Sequence, residues 1–337
     1  MLLETTNAPP GQPRQELRFA PRPSHPKNLR SHDARRPIRV SVVIPTLNAE
    51  PHLARQISML ATQTVPVAEV IVIDSSSVDA TVDIATAAGC RVVTIPRREF
   101  DHGDTRNRAA QLAEGDVVIF MTQDALPSNN SFIEHLVQPI FDGSVAATYA
   151  RQIAYPNATP PEQYARELNY PPTSHVMSFD DVADHGIKAF FFSNVASAVS
   201  RSHFDEVGGF PARTIMNEDM LLCSKLLNSG QRVGYCANAV VFHSHNYKLT
   251  QQFKRNFDIG AFVSLQGQQL GNTRAGKSGV NFALGQLRHL VQAGHWRWLP
   301  RTIADLAIRL VAYRLGTHQR SVPVRLKRLI SMHAYHW

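Results

Sequence analysis

Residues 39–75, RVSVVIPTLNAEPHLARQISMLATQTVPVAEVIVIDS, decide the fold. RVSVVIPT at 39–46 is a nearly continuous apolar run of strand length, residues 48–63 repeat as a helix, and EVIVIDS at 69–75 reads as a second buried strand. Outward from this β-α-β opening the alternation continues. TVDIATAAG at 81–89 is a helix closed by glycine, RVVTIP at 91–96 a third strand, DTRNRAAQLAEG at 104–115 another helix, and DVVIFMTQD at 116–124 a fourth strand. Such alternation predicts an α/β fold, a mostly parallel sheet with helices on both faces.

The chain has 337 residues, 43% apolar and 18% charged, enough for one large globular domain with appendages. Cys90, Cys223 and Cys236 are odd in number and lack C-x-x-C spacing, which excludes a disulfide framework or zinc knuckle and fits a reducing cytosol. Residues 1–38 are proline-rich with no apolar signal-peptide core, so a disordered leader is expected there. No apolar run approaches the ~20 residues of a membrane span.

Charge divides the chain. Residues 1–40 hold 8 Lys/Arg against 3 Asp/Glu, residues 250–337 hold 13 against 2, and the segment between holds 14 against 22. The acidic middle, 39–265, is the expected catalytic domain; 266–337 is expected to be a basic helical extension. Its IADLAIRLVAYRLG, at 303–316, places apolar residues at helical spacing between arginines. A tail of this kind suits an anionic lipid surface or nucleic acid, and charge alone does not choose.

In an open parallel sheet ligands lie outside the carboxyl ends of the strands. Asp74 closes EVIVID and Asp124 follows VVIFMTQ, each placed for a metal ion or a ribose hydroxyl. The plainer reading of one such residue is an ordinary loop aspartate; two on one edge favour a site. After the first strand there is no G-x-G-x-x-G, which argues against a dinucleotide oxidoreductase. Gly271–Ser278 is a literal phosphate-loop pattern, but polar QGQQL precedes it where a buried strand is required, so coincidence is preferred to an ATPase using Lys277.

These motifs together resemble the family-2 glycosyltransferases, of GT-A fold, over roughly 39–265. VSVVIPTLN is similar to the family's first strand and loop, VIDSSSVDAT to its nucleotide loop, TRN at 105–107 to its arginine-asparagine helix start, TQDALP at 122–127 to its D-x-D loop, and Asn217-Glu218-Asp219 to its catalytic acid pair. FDHGDTRN, VGGFP, NEDM, HSHNY followed by FKRNFDIG, and SMHAYHW at 331–337 resemble the rhamnosyltransferase branch that builds bacterial surface polysaccharides. Two departures stand out: Thr122 replaces the first acid of D-x-D, and Ser75 the second acid of the nucleotide loop.

The resemblance implies an inverting transferase with Asp219 as general base and Glu218 orienting it. Their structural alternative is a pair of acids at a helix start. It implies a divalent cation, Mg²⁺ or Mn²⁺, on Asp124. HSH at 243–245 puts two imidazoles on one face if the strand continues, which leaves His243 and His245 open as ligands; the spacing from Asp219 resembles that of relatives and selects His243, against the usual structural histidine. The nucleotide-sugar is expected at Pro45, Thr46, Asp74, Arg106, Asn107, Thr122 and Gln123. Arg106 would reach the diphosphate, or else form a surface ion pair with Asp101 or Asp104.

The donor is expected to be dTDP-rhamnose, with a UDP- or GDP-sugar as alternative, and the acceptor a lipid-linked glycan. The tail, with Trp296 and Trp298, would hold this cytoplasmic protein on the inner face of the plasma membrane. A nucleic-acid-binding protein is the rival from another class, disfavoured by the acidic middle.

Overall fold

The computed structural model describes residues 38–270 and 276–337. The proline-rich leader and most of the phosphate-loop pattern at 271–278 lie outside the described residues.

The chain runs through β1 (Val40–Thr46), α1 (Glu50–Ala61), β2 (Glu69–Asp74), α2 (Thr81–Ala87), β3 (Arg91–Thr94), α3 (His102–Leu112) and β4 (Val117–Met121). Next come β5 (Leu126–Pro127), α4 (Phe132–Phe141), β6 (Ala147–Ile153), α5 (Pro160–Asn169), β7 (His175–Met177), α6 (Val182–His185), β8 (Ala196–Ser200) and α7 (Arg201–Glu206). It closes with α8 (Glu218–Asn228), β9 (Val233–Phe242), α9 (Leu249–Gln266), α10 (Gly276–Gln292), α11 (Leu299–Thr317) and α12 (Val324–Ile330).

Nine strands form one sheet of order β3-β2-β1-β4-β8-β6-β9-β5, with β7 also on β9. The expected parallel alternation holds for β3, β2, β1 and β4. These strands carry helices on both faces, so β1, β2 and β4 are buried nearly throughout and read as unbroken apolar runs. Two cores result, one on the α1 and α4 side containing Leu53, Ile57 and Leu136, the other on the α3 and α8 side containing Phe120, Phe210 and Leu222.

Strand direction in the second half sets up the site. β8 runs antiparallel to both β4 and β6, while β9 is parallel to β6. The carboxyl ends of β1, β2, β4, β6 and β9 therefore share one edge with the amino end of β8. A bulge pairs Ala150 with Cys236 but Arg151 with Val240, re-aiming the ends of β6 and β9.

The basic region joins this domain by backbone contact. A Cβ on Gly260 of α9 would lie 2.1 Å from the Tyr313 carbonyl oxygen, and one on Gly316 of α11 would lie 2.1 Å from the Phe257 carbonyl oxygen. Only glycine permits so close an approach.

Candidate active site

Asp124 stands three residues past β4, on a loop gripped from both sides. The Gln123 side-chain amide accepts from Leu47 N at 2.8 Å and donates to Leu47 O at 3.1 Å, and Gln56 Nε2 donates to the carbonyls of Thr122 at 2.8 Å and Ala125 at 2.7 Å. Gln123 thus ties the ends of β1 and β4 together.

From β9, His243 and His245 converge on that loop. Each Nε2 lies 3.5 Å from Asp124 Oδ2, and the three donor atoms fall within 4.8 Å of one another. The structure brings both histidines to the carboxylate, where the sequence spacing had selected His243 alone. His245 packs edge-on to His243, with ring centroids 4.6 Å apart, and stacks on Tyr247 at 5.0 Å.

The His243 tautomer follows from its neighbours. Gln152 of β6 donates its amide NH₂ to the Tyr170 hydroxyl at 2.6 Å and to Ser193 Oγ at 2.9 Å, and its Oε1 accepts from the Arg166 guanidinium. Oε1 is therefore the acceptor facing His243 Nδ1 at 3.0 Å, so Nδ1 carries the proton and Nε2 presents a lone pair towards Asp124. Lone pairs on nitrogen and carboxylate oxygen aimed at one point are what a cation satisfies. Burial works to raise the Asp124 pKa, but positive charge placed beside it, on His243 or His245, outweighs that and holds the carboxyl below its ordinary range, as a bound cation would. Burial, then His243, pushes His245 down to about 4, so its imidazole is neutral at physiological pH and has a lone pair to offer. Asp124 and His245 also border a cavity of about 420 Å³ lined by His52, Arg55 and Tyr155. The residues present fit a hard divalent ion.

The acid pair opens α8. Asn217, the residue before it, adopts left-handed backbone with φ 57°. Glu218 is buried, with Oε1 3.1 Å from Arg106 Nη1 and accepting from Asn194 Nδ2 at 3.1 Å. Asp219 Oδ2 accepts from Asn194 N at 3.1 Å and Oδ1 from Met220 N at 2.9 Å. Their titrations separate. Burial works to raise Glu218, yet the Arg106 guanidinium and the Asn194 hydrogen bond hold it below its ordinary value. Burial and the adjacent Glu218 charge push Asp219 up to about 7. Two carboxylates driven apart in this way mark one permanent anion and one group that exchanges a proton near neutrality.

The two centres meet at the amino end of β8. Ser193 touches Gln152 behind His243, and Asn194 holds both acids. Sequence reading missed Gln152, Ser193 and Asn194, because one polar residue inside a strand and an Ser-Asn dipeptide before another carry no spacing signal.

Other expected contacts sit differently. Arg106 is buried against Glu218 and donates to the His102 carbonyl at 2.9 Å, so its counter-ion is neither Asp101 nor Asp104. Asp101 caps α3, accepting from Gly103 N and Asp104 N. The Asn107 side chain donates to Phe210 O at 2.8 Å and accepts from Phe210 N at 2.9 Å. That clamp, with Gly208 and Gly209 at φ 69° and 60°, fixes the VGGFP turn ahead of the acid pair. Asp74 is fully buried: Oδ1 accepts from the hydroxyls of Thr46 and Ser77, and Oδ2 from Ser77 N. Pro45 and Thr46 end β1 beside it.

Comparison with known proteins bears on the family and the fold. Residues 41–208 match the family model described as Glycosyl transferase family 2. The chain is 36% identical over 303 residues, 89% of its length and 96% of the relative's, to the O-antigen chain rhamnosyltransferase RfbN of Salmonella typhimurium, and 35% identical to WbaN of Salmonella anatum, which bears the same description and is covered over 95% of its length. Among solved structures, the mannosyltransferase PcManGT of Pyrobaculum calidifontis, in complex with GDP-Man and Mn²⁺, superposes with a TM-score of 0.54 at 18% identity, covering 89% of this chain and 85% of that one. S. aureus TarS in complex with UDP gives 0.53, also at 18% identity, covering 88% and 84%. These two likenesses bear on the fold, which is GT-A.

Proposed function

This chain belongs to glycosyl transferase family 2 and is a glycosyltransferase, and from that premise we propose that it transfers L-rhamnose from dTDP-rhamnose, with inversion, to a hydroxyl of a lipid-linked surface polysaccharide. The choice of sugar and polysaccharide is supported by the two relatives matched along nearly their whole length, both named for O-antigen rhamnosyl transfer.

The mechanism rests above all on the divergent titration of Glu218 and Asp219. With Glu218 anionic and neutralised by Arg106, Asp219 accepts the proton of the acceptor hydroxyl as that oxygen attacks the anomeric carbon. Asn194 N–H holds one Asp219 oxygen in place, leaving little freedom for the base to turn away. Asp124 and His243, with His245 as third donor, would hold a divalent cation, which would offset charge on the departing diphosphate. Gln152 keeps His243 in its ligating tautomer. A single displacement with Asp219 as its base inverts the anomeric centre. Pro45, Thr46 and Asp74 would border the nucleotide base; Gln123 and Asn107 act on it through the backbone they hold.

The basic helices favour work at the inner face of the plasma membrane, with the protein cytoplasmic. No described helix is long and apolar enough to cross a membrane. Exposed Val280, Leu284, Trp296, Ile303, Leu310 and Val311 instead share α10, α11 and the turn between them with exposed Arg288, Arg297 and Arg301. Apolar and indole groups among arginines suit an anionic lipid surface. Vesicles containing anionic lipid should co-sediment with the protein and neutral vesicles should not.

Turnover of dTDP-rhamnose, UDP-glucose and GDP-mannose with membrane extract as acceptor, followed by the anomeric configuration of the product, tests the donor and the stereochemistry. Rhamnosyl transfer with inversion is expected. Retention, or turnover of another donor only, would overturn the corresponding part.

A further inference from the structure

Residues 331–337, SMHAYHW, fold back onto the start of α3 beside the acid pair. Met332 N donates to Asp258 Oδ2 at 2.8 Å, Asp258 itself being fully buried in α9. At the other end the Trp337 ring lies 6.1 Å from Phe257 and 4.4 Å from Lys327 Nζ, and Trp337 O accepts from Arg328 Nε at 2.6 Å. The segment is thus pinned at both ends, and the residues between face α3.

There four rings close into a square. Phe100 and His102 are 5.0 Å apart, His102 and His333 5.0 Å, His333 and Tyr335 5.7 Å, and Tyr335 and Phe100 6.2 Å, all edge-to-face. The Tyr335 hydroxyl lies 3.2 Å from His333 Nδ1. Burial pushes both imidazoles down, His333 to about 3, so at physiological pH the rings are neutral. Yet Tyr335 remains 52% exposed, and Phe100, His102 and His333 are partly exposed as residues. A rigid, half-open aromatic group is more than packing requires and suits the C–H face of a sugar ring.

We propose that Phe100, His102, His333 and Tyr335 form the acceptor-saccharide subsite, so that residues 331–337 complete the active site. The inference rests on the transferase reading above, and position selects acceptor over donor. Contacts run from Asp124 and His243 through Gln152 and Ser193 to Asn194 and the acids, then through Arg106 to His102. The acid pair therefore separates the rings from the metal-binding residues. In an inverting displacement the nucleophile arrives on the face opposite the leaving group, so the acceptor belongs on the base's side.

The test uses the full chain with Mn²⁺ and dTDP present. Methyl α-L-rhamnoside, methyl α-D-mannoside, methyl β-D-galactoside and methyl β-D-glucoside are each titrated while saturation transfer from protein to sugar is read by NMR. At least one sugar should receive saturation in the wild type. Tyr335→Ala should weaken it about tenfold, the scale of one lost aromatic face, and Tyr335→Phe should restore it. The thermal shift given by dTDP with Mn²⁺ should be the same in all three proteins. No transfer to any sugar, or equal binding by Tyr335→Ala, overturns the subsite while the nucleotide shift stands. Loss of the nucleotide shift in the wild type would instead sink the dTDP-donor reading on which the subsite rests.

Discussion

Replacing Glu218 by glutamine removes one charge from the acid pair and should reset the base. In the wild type Asp219 is pushed up to about 7 from an ordinary 3.8, by burial first and then by the Glu218 carboxylate. Burial is untouched in Glu218→Gln, but the repulsion disappears, and the Arg106 guanidinium loses its counter-charge and stands free to favour the Asp219 anion. Neighbouring charges typically move a pKa by about 1–3 units, so the Asp219 midpoint should fall by about 1–2 units. The assay is the pH profile of kcat under saturating donor and acceptor. Because the anion is the active form, the wild-type rate should climb as pH rises through about 7. The variant's rate should reach its plateau at lower pH and at a lower level, since a weaker base removes the proton less readily. Its stability should also drop by about 3–5 kcal/mol, the usual cost of leaving one partner of a buried pair uncompensated, so the profile is taken well below Tm. A wild-type midpoint near 4, or one that stays put in Glu218→Gln, would refute the assignment.

Asp219→Asn should abolish transfer yet raise Tm at pH 8. A folded pKa above the unfolded one makes the carboxylate a liability that grows between about pH 4 and pH 7 and persists above, at most roughly 4 kcal/mol here, and asparagine escapes it; at pH 4 the two proteins should melt alike. Gln152→Ala leaves every metal ligand in place but frees the His243 ring, so Mn²⁺ affinity measured by calorimetry should fall about 10- to 100-fold with little change in fold. Gly260→Ala would put a methyl group 2.1 Å from the Tyr313 carbonyl oxygen, forcing α9 and α11 apart; Tm should drop by an amount equivalent to about 1–3 kcal/mol, and the variant should bind vesicles less well if α11 is part of the membrane face.

Much of the parallel half was legible because burial on both faces leaves an unmistakable record. VSVVIPT, EVIVID and VVIFM are apolar at almost every position, and the helices between them end at recognisable turns. The antiparallel insertion of β8 was not legible, since ASAVS is short and small-residued and its partners β4 and β6 lie far away in sequence. In the site, the strand-end Asp124 and the helix-start Glu218 and Asp219 are local features, and local features are what sequence shows. Gln152, Ser193 and Asn194 matter only because three strands bring them to one edge. Arg106 illustrates the limit: its position at a helix start suggested an anion, and the structure pairs it with Glu218, more than a hundred residues away. His245 reaches Asp124 as His243 does, so the two rings two residues apart converge on one carboxylate, as the shared-face reading allowed, although the strand ends at Phe242.

Asp124, His243 and His245 are proposed to hold a cation that binds the donor's diphosphate. Isothermal titration of dTDP into the full chain, with Mn²⁺ and then with EDTA, for the wild type and for Asp124→Ala, addresses it directly. The wild type should bind dTDP with Mn²⁺, and EDTA and Asp124→Ala should each weaken that binding by at least about tenfold. Equal affinity with and without the metal, or in the variant, would contradict it.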